Sequence, residues 1–370
     1  MGSKNRRNKK VQSQAKRPVR EKVKTNKTPK QKPEIHITGW KLWLFRIIAI
    51  TVIPAFLFLI LDIGLRIAGY GYPTSIAIKC KADGVDSYCS NIRFSWRFFP
   101  AEIARTMEPF AFPVKKHENT YRIFVMGASA AAGTPDGAYS FGRMLEAMLN
   151  QQYPDTKFDI ITAAMPAINS HVVLEIAKDS THYQPDLYIV YLGNNEVVGP
   201  YGAGTVFSPL SANLSLIRLG VALKGTKVGQ LATNVANSLN RSKPKVWLGM
   251  EMFLDKQVRK DDPQMKIVYR NFEQNLKDIF HIARKIKTPL ICCTVGCNLK
   301  DNPPFASLHR RDLKDSEKKQ WEELYQQGVE FEINGDYTSA NDTYLQANEI
   351  DSDYADLQYR LGRCYWEMGD

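Results

Sequence analysis

Cysteine is scarce in this 370-residue chain. Six residues are too few for a disulfide-stapled scaffold. Cys80 and Cys89 flank a short polar stretch, KADGVDSY, and close a small ring only if that segment meets an oxidising compartment. Cys292, Cys293 and Cys297 have no second ligand pair at metal-binding spacing, so buried structural thiols and no metal are expected there. Net charge is also missing from most of the chain. The net charge is +12, but residues 1–37 hold thirteen Lys and Arg against Glu21 and Glu34, which leaves the body close to neutral. A fold that reads nucleic acid through a basic face is thereby disfavoured. Salt-sensitive binding by residues 1–37 alone would be needed to revive it. That tail has almost no apolar residue, and 1–38 is expected to be disordered.

Residues 39–69 carry the one long apolar run. Its uncharged core, Ile47 to Leu61, is a little short of the ~20 residues a span requires. Snorkelling Arg46 and the following Ile63, Leu65 and Ile67 make up the difference. Trp40, Lys41 and Trp43 mark one interface, and Asp62, Arg66, Tyr70 and Tyr72 the other. The long basic region and the missing A-x-A-like site argue against a cleaved signal peptide. These features predict a single-pass helix with a cytoplasmic N-terminus and an extracytoplasmic body. Residues 70–118, rich in aromatics and Arg (Phe94, Trp96, Arg97, Phe98, Phe99), read as a juxtamembrane collar packed on the next domain.

Strands and helices then alternate. Strands are expected at Tyr121–Met126, Phe158–Ala163, Asp186–Leu192 and Pro289–Val295, and helices at Ser140–Gln152, His171–Tyr183 and Lys266–Ile286. That rhythm predicts an α/β fold, a parallel sheet with helices on both faces, over 119–310. Residues 201–262 break it and read as an insertion beside the site. Past Arg311 only helices are expected. Gly328/Gly362, Phe331/Tyr365, Gly335/Gly369 and Asp336/Asp370 share one 34-residue interval, the period of tetratricopeptide repeats, over 316–370. The last hairpin lacks its partner helix, so the array reads as incomplete and the chain as truncated.

Two stretches carry chemistry. YRIFVMGASAAAG, Tyr121–Gly133, runs from a buried strand through a turn of small residues into a helix, which displays Ser129 at a sheet's carboxyl edge. YLGNNEVVGPYGAG, Tyr191–Gly204, also comes after a buried strand; Gly193 turns the chain, and Asn194, Asn195 and Glu196 lie next, at the same edge. An Asn amide beside a serine is a plausible oxyanion donor. Asp179-x-x-His182 has the letters of a base-and-orienter pair but precedes the strand leading to Gly193, on the wrong edge, and reads as a decoy. His309 lies nearer the correct edge and is a weak substitute. His171 lies next to the second block, where it either touches substrate or, the favoured reading, caps or packs.

GASAAAG followed by GNNE resembles the SGNH (GDSL-type) hydrolases over roughly Tyr121 to Leu308. With FSWRFFP, SFGRML, AINSHVV and GNNEVVGPYGAGTVF the chain looks like a bacterial subgroup in which a membrane-anchored SGNH domain is fused to tetratricopeptide repeats. The resemblance implies a flavodoxin-like sheet, an inner-membrane anchor with a periplasmic body, and no cofactor. It makes Ser129 the nucleophile, with Asn195, Ser129's own amide and the amide near Ala164 as the oxyanion hole, and Gly193 at the turn. Asn194, Glu196 and His171 would meet the substrate, an acyl ester on a glycan or lipid. The family's usual Asp is Ala128 here, and its second-block Gly is Ala164, which restricts φ and crowds the site. The family's D-x-x-H block is expected beyond Asp370. The alternative is a non-catalytic scaffold that binds protein partners through its repeats.

Overall fold

From Leu42 to Ile67 the chain is a 26-residue apolar helix, long enough to cross a membrane. It comprises α1 (Trp40–Ile47), a π-helical turn (Ile48–Val52) and α2 (Ile53–Ile67). Pro54 has no N–H to give to a preceding carbonyl, and the widened turn lies directly before it. The computed structural model describes residues 39–207, 213–239 and 246–369, so the basic tail lies outside the described residues. Residues 1–57 and 58–370 are two separate units, and the second holds every strand found among the described residues.

The collar contains a small sheet that the sequence reading did not foresee. β1 (Ala77–Ala82) and β2 (Val85–Ser90) form an antiparallel hairpin, and β3 (Ala111–Pro113) adds to β2. Asp83 and Gly84, both at positive φ (49° and 78°), make its two-residue turn. Cys80 and Cys89 are joined across the hairpin, with Cα atoms 5.9 Å apart. Phe94, Phe98, Phe99 and Phe112 are buried in the same core as the main sheet.

That sheet is parallel, in the order β5 (Lys157–Ala164), β4 (Thr120–Gly127), β6 (Leu187–Tyr191), β7 (Leu290–Cys292). The buried side chains of β4 alternate between its faces. Ile123 and Val125 join Ala164, Ile189 and α4 (Phe141–Gln152), which Ser140 caps. Phe124 and Met126 join α5 (Ser170–Ser180) and the long α8 (Pro263–Lys285). Both faces are therefore covered, as parallel sheets require. Arg122, buried at the start of β4, donates to Asp159, Tyr183 O and Pro113 O and so ties β3, β4 and β5. β7 is shorter than the expected Pro289–Val295 and lies at the sheet's edge. Cys292 and Cys297 are exposed and Cys293 half-buried, which corrects the expectation of buried thiols.

Between 201 and 262 the described residues form α6 (Leu214–Lys224), α7 (Lys227–Leu239) and a 3-10 helix, Gly249–Lys256. The C-terminal segment is all-helical: α9 (Asp315–Ile333), α10 (Tyr337–Ile350) and α11 (Ala355–Met368), with its own core of Trp321, Ala340, Tyr344, Ala347, Leu357 and Leu361. Gly328 is required in it, because an added Cβ would lie 2.4 Å from the Tyr344 ring.

Candidate functional site

The chain passes from β4 to β5 on one side of the sheet and then crosses back to β6 on the other. The carboxyl end of β4 is therefore the point where the strand order reverses and a crevice opens. Register makes the juxtaposition specific. Gly127 lies level with Ala164 on β5 and with Tyr191 on β6, so the next residues of all three strands leave one edge together. A side chain at Gly127 would not fit, since its Cβ would fall 2.1 Å from Tyr191 O and 2.5 Å from Ala131 Cβ.

Ser129 opens the one-turn helix α3 (Ser129–Ala132), with Ala128 extended before it and Gly133 at φ 78° closing it. It is half-buried, while Ala128, Ala131 and Ala132 beside it are buried. The small residues thus pack inward and leave the serine at the surface of the turn. Gly193, at φ 140°, bends the chain after β6 under Val295. Asn194 is exposed and Asn195 half-buried.

Asn195 Nδ2 donates to Ile168 O at 3.1 Å, which fastens the loop after β6 to the loop after β5. Two further links repeat the connection. Asn169 Nδ2 donates to Pro200 O, and Glu196 accepts from both Ser170 N and Ser170 Oγ. Between β5 and α5 the left-handed residue is Ala167 (φ 64°) and not Ala164, so the backbone strain expected at Ala164 lies three residues further on. Ala164 is buried among Val125, Ala131 and Ala132 and forms part of the sheet's packing.

Glu196 and His171, expected to meet substrate, are turned inward. Glu196 is 9% and His171 7% exposed. Asn275 of α8 donates to Ser170 Oγ (3.0 Å) and lies 3.2 Å from His171 Nδ1, and Arg218 donates to Asn275 Oδ1. Burial raises the Glu196 carboxyl to about 7, against the lowering effect of its Ser170 hydrogen bonds. Burial, with the Arg218 charge, lowers His171 to about 4, so it is neutral at pH 7. Ser170 and Asn275 were not singled out in the sequence. α8 lies about a hundred residues after Ser170, and nothing in its amphipathic pattern marks Asn275.

The other histidines lie elsewhere. His309 Nδ1 is 2.8 Å from Asp351 in the helical segment, and its ring packs on Trp321 and Tyr354. None of these contacts joins it to Ser129. Asp179 accepts from Ile76 N and Tyr183 OH before β6 begins, at the opposite edge from Ser129. Among the described residues no histidine is hydrogen-bonded to Ser129, and no cluster of metal-ligating residues occurs. A cavity of about 740 Å³ opens beside the Asn195 loop, lined in part by Val197, Val198, Phe253, Leu254, Phe305 and Leu308.

No family model matches the chain, and no curated protein matches it. Solved structures resemble it in part. One is TesA, at 14% identity over 46% of this chain and 76% of that one, with a TM-score of 0.23. Another is AlinE4, an SGNH-hydrolase family esterase, at 19% identity over 48% and 77%, with a TM-score of 0.22. A third is a lipase/acylhydrolase from Enterococcus faecalis, at 15% identity over 46% and 75%, with a TM-score of 0.22.

Proposed function

We propose that the protein is a membrane-anchored, SGNH-type serine esterase or acyltransferase that works through an acyl-Ser129 intermediate. The observation that carries this reading is the level register of Gly127, Ala164 and Tyr191, which brings the Ser129 turn and the Asn195 loop to one crevice. In the reaction Ser129 Oγ attacks the ester carbonyl. The charge that develops on its oxygen is met by the Ser129 amide, an amide beside Ala164 and the Asn195 side chain. An amide group has two N–H bonds, and only one is needed for Ile168 O. Asn194 is left at the surface to contact substrate. Collapse of the adduct expels the alcohol, and water or a second alcohol then takes the acyl group. An imidazole at the hydroxyl would take the Ser129 proton and return it to the leaving alcohol; among the described residues none is hydrogen-bonded there. The cavity beside Val197 sets apolar Phe253, Leu254 and Leu308 next to Lys256, Arg259, Lys260 and Asp261, a mixed lining that suits an acyl chain joined to a polar headgroup or glycan.

Anchoring rests on the 26-residue apolar helix, and the basic tail favours its cytoplasmic side for the N-terminus. The cross-hairpin pairing of Cys80 and Cys89 favours a periplasmic body.

The test is fluorophosphonate labelling of the protein in its native membrane. Labelling that vanishes in Ser129→Ala supports the enzyme. A protein that never labels overturns it and favours the second reading, a scaffold. That reading has its own observation in the separate core of α9–α11, whose hairpins we assign to tetratricopeptide-type repeats able to hold a protein partner.

A further inference from the structure

The α6–α7 hairpin leaves two apolar stripes uncovered. On α6, Leu216, Leu219 and Leu223 are 61%, 55% and 43% exposed, spaced for one helical face opposite the buried Ile217 and Val221. On α7, Val235 and Leu239 are 52% and 81% exposed, away from the buried Gln230. Scattered exposed leucines need no explanation, but aligned ones on adjacent helices do.

Where the hairpin is fixed identifies what covers it. Asp62, inside the apolar helix, accepts from the backbone N–H groups of Lys227 (2.6 Å) and Val228 (3.1 Å) and so caps the N-terminus of α7. Tyr72 N donates to Gln230, Lys227 donates to Tyr72 O, and Asn234 donates to the Tyr70 hydroxyl. Asp62 precedes the helix's last residue, Ile67, by five positions. At the α-helical rise, α7 therefore begins about 8 Å inward from that end. This matches the depth at which interfacial helices bury an apolar face. Charge agrees. Between Glu196 and Glu251 the sequence contains no Asp or Glu; Arg218 is turned to Asn275 and Asp278 of α8, and the cations at the α6–α7 turn are Lys224 and Lys227. Nothing acidic in the stretch opposes a phosphate surface.

We propose that α6 and α7 lie in the headgroup region of an anionic phospholipid bilayer, so that the insertion seats the α/β body against the membrane that anchors it. This rests on the reading that Leu42–Ile67 spans that bilayer.

The experiment is photocrosslinking of the full chain in phosphatidylglycerol-containing nanodiscs, with benzoylphenylalanine placed singly at Leu219, Val235, Phe56 or Glu323. Phe56 tests the span, and Glu323 is an exposed control on α9. Lipid adducts at Leu219 and Val235 in yields comparable to Phe56, with none at Glu323, are expected. Adducts at Phe56 but not at Leu219 or Val235 overturn the proposal and leave the span standing. Adducts from Leu219 or Val235 to a second copy of the chain overturn it in favour of a protein interface. Absence of lipid adducts at all positions overturns the span and the proposal together.

Discussion

Replacing Glu196 by Gln should change the sign of its effect with pH. Burial holds the carboxyl at about 7 in the folded protein, against an ordinary value of 4.5. A group whose folded value is raised binds its proton more tightly in the folded state. The stability it contributes is complete below pH 4.5, falls as pH rises through about 7 and is level above that. The gap is worth about 3 kcal/mol. Gln is neutral at every pH and still accepts from Ser170 N, but it loses the Ser170 hydroxyl's donation, worth about 1 kcal/mol. The variant should therefore be less stable than the parent by about 1 kcal/mol at pH 4 and more stable by about 2 kcal/mol at pH 8. For a unit of this size the pH 8 gain is a melting shift of about 3 °C. Thermal unfolding of parent and variant at the two pH values measures it. A parent equally stable at pH 4 and pH 8, or a variant that loses more at pH 8, would mean that Glu196 is ionised in the fold and would refute the argument.

Three further outcomes are expected. Asn195→Ala should lower ester turnover by about 10²–10³ with KM little changed, the cost of one oxyanion donor; an unaltered kcat removes it from that role. Arg122→Met leaves Asp159 buried beside an apolar chain and should cost about 3–5 kcal/mol in chemical denaturation, and pairing it with Asp159→Leu should recover much of the loss. Maleimide under denaturing, non-reducing conditions should modify four thiols, Cys292, Cys293, Cys297 and Cys364, and six after reduction; six without reductant would mean the Cys80–Cys89 bond is not formed.

The strands that carry the site were legible because they are buried on both faces, which writes a continuous apolar run such as Ile123–Met126 or Tyr188–Val190 into the sequence. β7 was over-extended because an edge strand is shaped by its one neighbour, and its pairing with β6 stops at Cys292. The hairpin β1–β2 was missed although Asp83-Gly84 is a two-residue turn signal; the aromatic residues after it drew the reading towards a collar. Glu196 and His171 were misread because polar residues after a strand look alike in sequence whether they face solvent or a buried partner. The partner that decides it is Asn275, brought in by the docking of α8 on α5, which has no local signature.

The same buried contacts bear on how the proposed oxyanion hole would work. A donor stabilises a transition state most when its orientation is set before the substrate arrives, so that no reorganisation accompanies the reaction. Asn195 meets that condition. Its own bond to Ile168 O, the Asn169–Pro200 bond and the two Glu196–Ser170 bonds join the loops after β5 and β6 at three levels. Gly199 allows the loops to close, since a Cβ there would lie 2.8 Å from both Asn169 Cβ and Asn195 O. Ala167 at φ 64° costs about 1–2 kcal/mol of backbone strain, and the cross-links are what hold it there. On that proposal Glu196 would act on Asn195 through the backbone and need not touch substrate. Cutting its link to Ser170 with Glu196→Ala should lower kcat in the manner of Asn195→Ala, whereas Glu196→Gln, which keeps an acceptor for Ser170 N, should retain most of it.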